Sequence, residues 1–119
     1  MLKYNYDLED ALKKYINLLN KRLYFEAHEV LEEAWHPLRK ANHPLKNLVK
    51  GLINASIAFE HIKRNRPEAK DRANRVIVSY EKYKLLSIYG IENYKIFNKA
   101  IKKIELIKRN KEIFIKDVL

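Results

Sequence analysis

Residues 44–64 read Pro44-Leu45-Lys46-Asn47-Leu48-Val49-Lys50-Gly51-Leu52-Ile53-Asn54-Ala55-Ser56-Ile57-Ala58-Phe59-Glu60-His61-Ile62-Lys63-Arg64. A proline opens the stretch, where its fixed φ and missing N–H suit the first turn of a helix. Apolar residues then recur at Leu45, Leu48, Val49, Leu52, Ile53, Ala55, Ile57, Ala58, Phe59 and Ile62. They occupy most sides of a helix rather than one stripe, which marks a helix surrounded by other elements. The spacing therefore predicts a central helix over about 44–64, whose neighbours must supply the apolar faces that cover it.

Those faces flank it on either side. Upstream, Leu8, Ala11, Leu12, Tyr15, Ile16 and Leu19 fall at steps of three and four, a helical stripe with Asp7 as its N-cap and Glu9 and Asp10 in its first turn. After a break at Asn20-Lys21-Arg22, Tyr24, Ala27, Leu31, Ala34 and Leu38 form a second stripe, and Pro37 predicts an end or kink near His36. Downstream, Pro67 opens a fourth helix with Glu68 and Asp71 near its positive end. Its stripe is Ala69, Ala73, Val76, Ile77, Tyr80 and Tyr83. Gly90 marks the next break, and a basic C-terminal helix over about 91–118 carries Tyr94, Phe97, Ile101, Ile104, Ile107 and Phe114. No sustained period-two run or hairpin dipeptide predicts a strand. The expectation is a single all-α domain over residues 1–119, a compact bundle of about five helices built from antiparallel helical hairpins. No internal sequence period supports a solenoid.

The composition agrees and excludes much else. The chain has 119 residues, no Cys, 2 Gly and 3 Pro, with 47% hydrophobic and 34% charged residues. That is one domain's length, able to bury a core without staples. The lack of Cys excludes disulfides, thiolate metal sites and a cysteine nucleophile. No signal-like apolar segment with a cleavage site opens the chain and no long apolar run could span a bilayer, so a cytoplasmic location without membrane association is expected. Abundant Lys and Glu without Gln point towards a heat-adapted, archaeal-type composition, while the many Asn residues point instead to AT-rich codons.

One constellation carries chemistry. His28, Glu32 and Trp35 stand at i, i+4 and i+7 on the second helix and so share a face. An imidazole and a carboxylate one turn apart can share a proton or a metal ion. Asn54 and His61 share a face of the third helix, so antiparallel packing of the two helices could bring His61 towards His28 and Glu32. Two His and one carboxylate form a ligand set for Zn, Mn or Fe with open positions for water or substrate. Without a metal, Glu32 would simply hold the His28 ring, Trp35 would be core, and Asn54 would satisfy a neighbouring group. The near-misses fail: His28-Glu29 lacks the second His of a zinc-protease motif, and Glu33-x-x-His36 lacks the second copy that a di-iron bundle requires. No phosphate-binding glycine loop or nucleophile elbow is present.

The stretch from Tyr24 to Trp35 resembles the signature of the domain-of-unknown-function 309 family, His-x-x-x-Glu-x-x-Trp, matched by His28, Glu32 and Trp35. A second block from Lys50 to His61 is also similar, with Asn54 where family members often carry Gln. The resemblance covers about residues 8–86 and leaves the C-terminal helix mostly outside. It implies a small all-helical protein of bacterial and archaeal type, without an established activity, whose motif has been suggested to bind metal. It also draws notice to Gly51, because a glycine inside a helix costs about 1 kcal/mol relative to Ala and so calls for a close helix contact.

Two function classes follow. In the first, His28 and Glu32 act as catalytic acid–base groups or, with His61, as ligands of a divalent metal, in a hydrolase-like site whose pocket includes Trp35, Asn54 and Gly51. A metal-bound water would then be the nucleophile. The second rests on charge. The net charge is +10, yet residues 1–36 hold five basic and seven acidic side chains, so the positive charge lies in the remainder. Arg64, Arg66 and Arg72 in one cluster and Lys102 and Lys103 in another could track nucleic-acid phosphates, with the His–Glu pair merely structural. The plain alternative is a solubilising lysine surface. Exposed Ile and Tyr on the last helix also allow a homodimer.

Overall fold

The computed structural model describes residues 2–65, 67–87, 90, 91 and 93–111. It contains α1 (Leu2–Asn20), α2 (Tyr24–Lys40), α3 (Lys46–Arg64), α4 (Ala69–Tyr83), a 3-10 turn (Lys84–Leu86) and α5 (Tyr94–Lys111). Among the described residues there is no strand, and no helix is long and apolar enough to cross a membrane. The fold is the expected all-α bundle. Each helix from α1 to α4 packs on the next, and α5 returns to cover α1.

The central helix is α3. It buries Leu48, Val49, Leu52, Ile53, Ala55, Ala58 and Phe59, and α2, α4 and α5 all pack against it. The upstream stripe is also core: Leu8, Leu12, Tyr15 and Leu19 are buried, and Ile16 packs against them. Tyr24, Ala27, Leu31 and Leu38 bury the matching face of α2. On α4 and α5, Ala73, Ile77, Tyr80, Phe97, Ala100 and Ile104 complete the interior. Burying such side chains contributes roughly 1.5–3 kcal/mol each for the larger aliphatic and aromatic ones, which is where the drive to fold lies.

Two polar devices orient the helices. The hydroxyl of Tyr15, wholly buried, donates to the Leu52 carbonyl at 2.6 Å and ties α1 to the middle of α3. Burial pushes that phenol well above its ordinary range. The second device joins α4 to α5. Tyr80 donates to Glu105 Oε2 at 2.5 Å, Lys84 approaches the same oxygen at 3.0 Å, and Lys108 reaches both Glu81 and Glu105. Lys108 is only 8% exposed, so its charge requires these carboxylates. Burial alone would raise the Glu105 pKa, but the Tyr80 and Lys84 hydrogen bonds and the Lys108 and Lys84 charges outweigh it and hold the carboxyl below its usual value. Burial likewise opposes the Lys84 charge, and Glu81 and Glu105 together still raise its pKa.

Local boundaries depart from the sequence reading in two places. First, α1 begins at Leu2, well ahead of the cap expected at Asp7; residues 2–7 contain no Gly or Pro, so nothing there stops a helix propagating back past a good capping residue. Second, Pro37 lies inside α2 rather than ending it. The turn after it is anchored by Leu38, 1% exposed, and closed by Ala41 N–H to Pro37 O at 3.0 Å and His43 N–H to Leu38 O at 2.9 Å. Burial of Leu38 outweighs the one backbone bond the proline removes. Elsewhere Gly90 sits at φ 106° in the connection before α5, as its place at a break requires. Phe114 and the expected helix beyond residue 111 lie outside the described residues.

Candidate functional site

The antiparallel register of α2 and α3 fixes which side chains can meet. Tyr24 stacks edge-on against Phe59 with centroids 5.6 Å apart, and Lys50 Nζ lies 4.4 Å from the Trp35 ring centroid. His28 is therefore level with Ile57, and His61 stands about one turn further along, level with Tyr24 and Phe25. His28 and His61 both line one cavity of about 540 Å³. Its other walls come from Phe25 on α2, from Ile57, Glu60 and Arg64 on α3, and from the start of α4 at Ala69 and Arg72. The cavity thus lies where the C-terminal end of α3 turns into α4, and its size suits a small organic molecule.

The His28 ring is held firmly. Nδ1 lies 2.9 Å from the Phe25 carbonyl. A carbonyl only accepts, so Nδ1 carries the proton and Nε2 is left to take up or release a second one. Glu32 Oε1 stands 3.5 Å from Nε2, close enough to balance the charge of a protonated ring. The imidazole side chain is 16% exposed and the carboxylate 40%; with one partner this open to water the pair adds little stability. Phe25, 44% exposed, meets the His28 ring edge-on at 5.2 Å and forms the outer lip of the cavity.

The charges around the cavity are unevenly matched. Arg64 is bound to Glu60 at 2.6 Å, a pairing one turn apart on α3. Arg72 makes no ion pair with any described residue, and neither does Glu68 on the rim. The first turn of α4 receives no side-chain cap from Glu68, so the positive end of that helix opens beside the same cavity.

The remaining expected site residues lie elsewhere. Trp35 is two turns along α2 from His28, about 10 Å by helix rise, with Lys50 over its ring and Arg39 at 5.4 Å. Asn54 donates to Ser79 Oγ at 2.6 Å and so bridges α3 to α4. At Gly51 the α3 and α4 backbones come close: a Cβ there would meet Tyr80 Cα at 3.1 Å and Ser79 O at 3.3 Å. None of the three lines the His28–His61 cavity. They serve helix packing instead.

The metal expectation gains no support from the described residues. Among the described residues no three His, Cys, Asp or Glu side chains gather closely enough to hold a metal ion. His28, Glu32 and His61 therefore do not form the ligand set their spacing offered. His28 and His61 share the cavity but sit at different levels, and Glu32 is not part of its lining. The nucleic-acid candidates divide too. Arg64 and Arg72 line this cavity, Lys102 and Lys103 line a groove on α5, and Arg66 lies outside the described residues. The residues that the sequence reading did not assign to this site, Phe25 and the start of α4, were visible only in part: Phe25 precedes His28 by three residues on one helix face, whereas α4's position is purely tertiary.

Fold and cavity together define a small all-helical protein with a ligand-sized hollow where three of its helices meet. The profile of the domain of unknown function DUF309 matches residues 12–72, and the chain belongs to that family. The match spans α2, α3 and the first turn of α4, and so the whole cavity, while α5 lies outside it. No curated protein and no solved structure matches the chain.

Proposed function

We propose that the cavity between α2, α3 and the start of α4 binds a small organic anion, with His28 as the group that exchanges a proton with it. The observation that carries this reading is one pairing. A histidine whose Nδ1 proton is fixed on the Phe25 carbonyl lines the same cavity as an arginine with no carboxylate partner among the described residues. Arg72 and the uncapped start of α4 would receive a carboxylate or phosphate group. Phe25, Ile57 and Ala69 would take its apolar part. Nε2 of His28 would then accept or donate a proton, with Glu32 balancing the charge. The acid–base half of the sequence expectation is the one this geometry favours. A metal-dependent hydrolase would need a third ligand that the described residues do not offer.

Phenyl phosphate, which joins an aromatic ring to an anion, is a suitable probe. Titration into protein labelled at the histidine Cε1 positions should move the His28 and His61 signals together and saturably, leaving His36 in place. Signals of His28 and His61 unmoved at millimolar probe would refute the reading.

A further inference from the structure

We propose that the groove between α1 and α5, remote from the cavity in both sequence and helix pairing, binds single-stranded nucleic acid through its phosphates. Two adjoining hollows of about 800 and 490 Å³ run along these helices and share Lys13, Ile96, Lys99 and Lys102. Lys95 lines one hollow and Lys103 the other. Against these five lysines stands one carboxylate among the described lining residues, Glu9, bound to Lys13 at 3.3 Å. Lys95, Lys99, Lys102 and Lys103 make no ion pair with any described residue. On α5, Lys95, Lys99 and Lys102 follow one another at i, i+4 and i+7, so one cation recurs at each turn, every 5–6 Å or so along the groove.

The shape and chemistry select among polyanions. Lysine presents a point charge to each phosphate without demanding one orientation, and no arginine, which would fix a carboxylate or phosphate bidentately, is among the described lining residues, so the contacts suit a backbone of repeated charge. The floor between the lysines is apolar: Ile16 and Ile96 are half-buried there, with the half-buried Tyr94 ring in one wall. Bases can lie on such a surface while the backbone follows the lysines. A duplex is read by an element that projects into its groove; here the recognising surface is itself concave. A bilayer calls for a broad apolar face, whereas Ile16 and Ile96 are half-buried here and Leu106 alone among the described lining residues is an exposed large hydrophobic.

Fluorescence anisotropy with a fluorescein-labelled oligothymidylate tests the proposal on the full chain. The wild type should bind at low salt. The charge reversal Lys99→Glu with Lys102→Glu should weaken binding by about tenfold or more and lower the salt slope by about 0.7 for each phosphate no longer neutralised. The reversal Lys70→Glu with Arg75→Glu, which changes the net charge equally on exposed α4 positions, should leave affinity within about twofold. If the first pair fails to fold by circular dichroism, Lys99→Gln with Lys102→Gln must show the lowered slope instead. The proposal falls if the wild type does not bind, or if both reversals weaken binding equally, since net charge alone would then explain it. It falls equally if phosphatidylserine vesicles bind in a Lys99- and Lys102-dependent way while the oligonucleotide does not.

Discussion

Gly51 lets α3 come close to the α4 backbone at Tyr80: a methyl group on Gly51 would stand 3.1 Å from the Tyr80 Cα. The Tyr80 Cα and the Ser79 oxygen, 3.3 Å away, both belong to helical backbone, so the strain cannot be relieved by turning a side chain. Gly51→Ala gains about 1 kcal/mol of helix propensity and meets an overpacking cost of about 1–3 kcal/mol. We expect a net loss of about 1 kcal/mol in urea unfolding for Gly51→Ala, and a much larger one for Gly51→Leu. A Gly51→Leu protein as stable as wild type would show that the two helices do not meet there.

The α4–α5 clamp sets a pH dependence. The Glu105 carboxyl is held below its ordinary value, so its contribution is complete above the unfolded carboxylate pKa, about 4.3, and is lost as pH falls through the lower folded value. Lys84 is raised, so its contribution is complete below about 10.4 and disappears as pH rises through the folded value. Thermal melts should thus weaken at the acid end for wild type and less so for Glu105→Gln. Lys84→Met should likewise flatten the alkaline limb. Parallel acid limbs in wild type and Glu105→Gln would contradict the assignment.

Asn54 separates scaffold from site. Its amide bridges α3 to Ser79 on α4 at 2.6 Å and does not line the cavity. Asn54→Ala should cost about 1 kcal/mol of stability and leave the dissociation constant for phenyl phosphate unchanged, as read by calorimetry. A large loss of affinity in a folded Asn54→Ala protein would place the amide in the site after all.

Much of the fold is legible in the chain itself. The steps of three and four through Leu8–Leu19 and Tyr24–Leu38, and the all-round greasiness of Leu48–Phe59, are local consequences of burial, and they specify which faces turn inward. That His28 and His61 share a cavity also follows from helix faces and antiparallel packing. What spacing does not supply is level. Seven residues on one helix place two side chains on one face but two turns apart, so Trp35 and Asn54 share the faces of the histidines without reaching their cavity. The closing wall at Ala69 and Arg72 depends on how the 65–68 connection turns, with Asn65 and Glu68 both at positive φ, and no stripe encodes that. Pro37 does not end α2 for a similar reason: a local rule yields to the tertiary burial of Leu38.

The metal question has a direct check. With no cluster of three such ligands among the described residues, protein purified without a histidine tag should melt at the same temperature before and after EDTA treatment. A stoichiometric metal whose loss lowers the melting temperature, and which Glu32→Gln also removes, would restore the ligand set that the spacing offered.

Arg72 is the anchor for the ligand's charge. A charged hydrogen bond contributes about 1.5–3 kcal/mol, so Arg72→Ala should weaken phenyl phosphate binding by about ten- to a hundredfold. Arg64→Ala should have the smaller effect, because its guanidinium is already engaged by Glu60. Equal losses at the two positions would show that overall positive charge, not the unpaired arginine, draws the anion.

The most direct measurement is the position of the bound probe. Intermolecular nuclear Overhauser effects from the phenyl phosphate ring should reach Phe25, Ile57 and the Cε1 proton of His28, and should vanish in Arg72→Ala at the same probe concentration. Contacts instead to the Trp35 ring or to Ile96, with none to His28, would place the ligand outside this cavity and contradict the account.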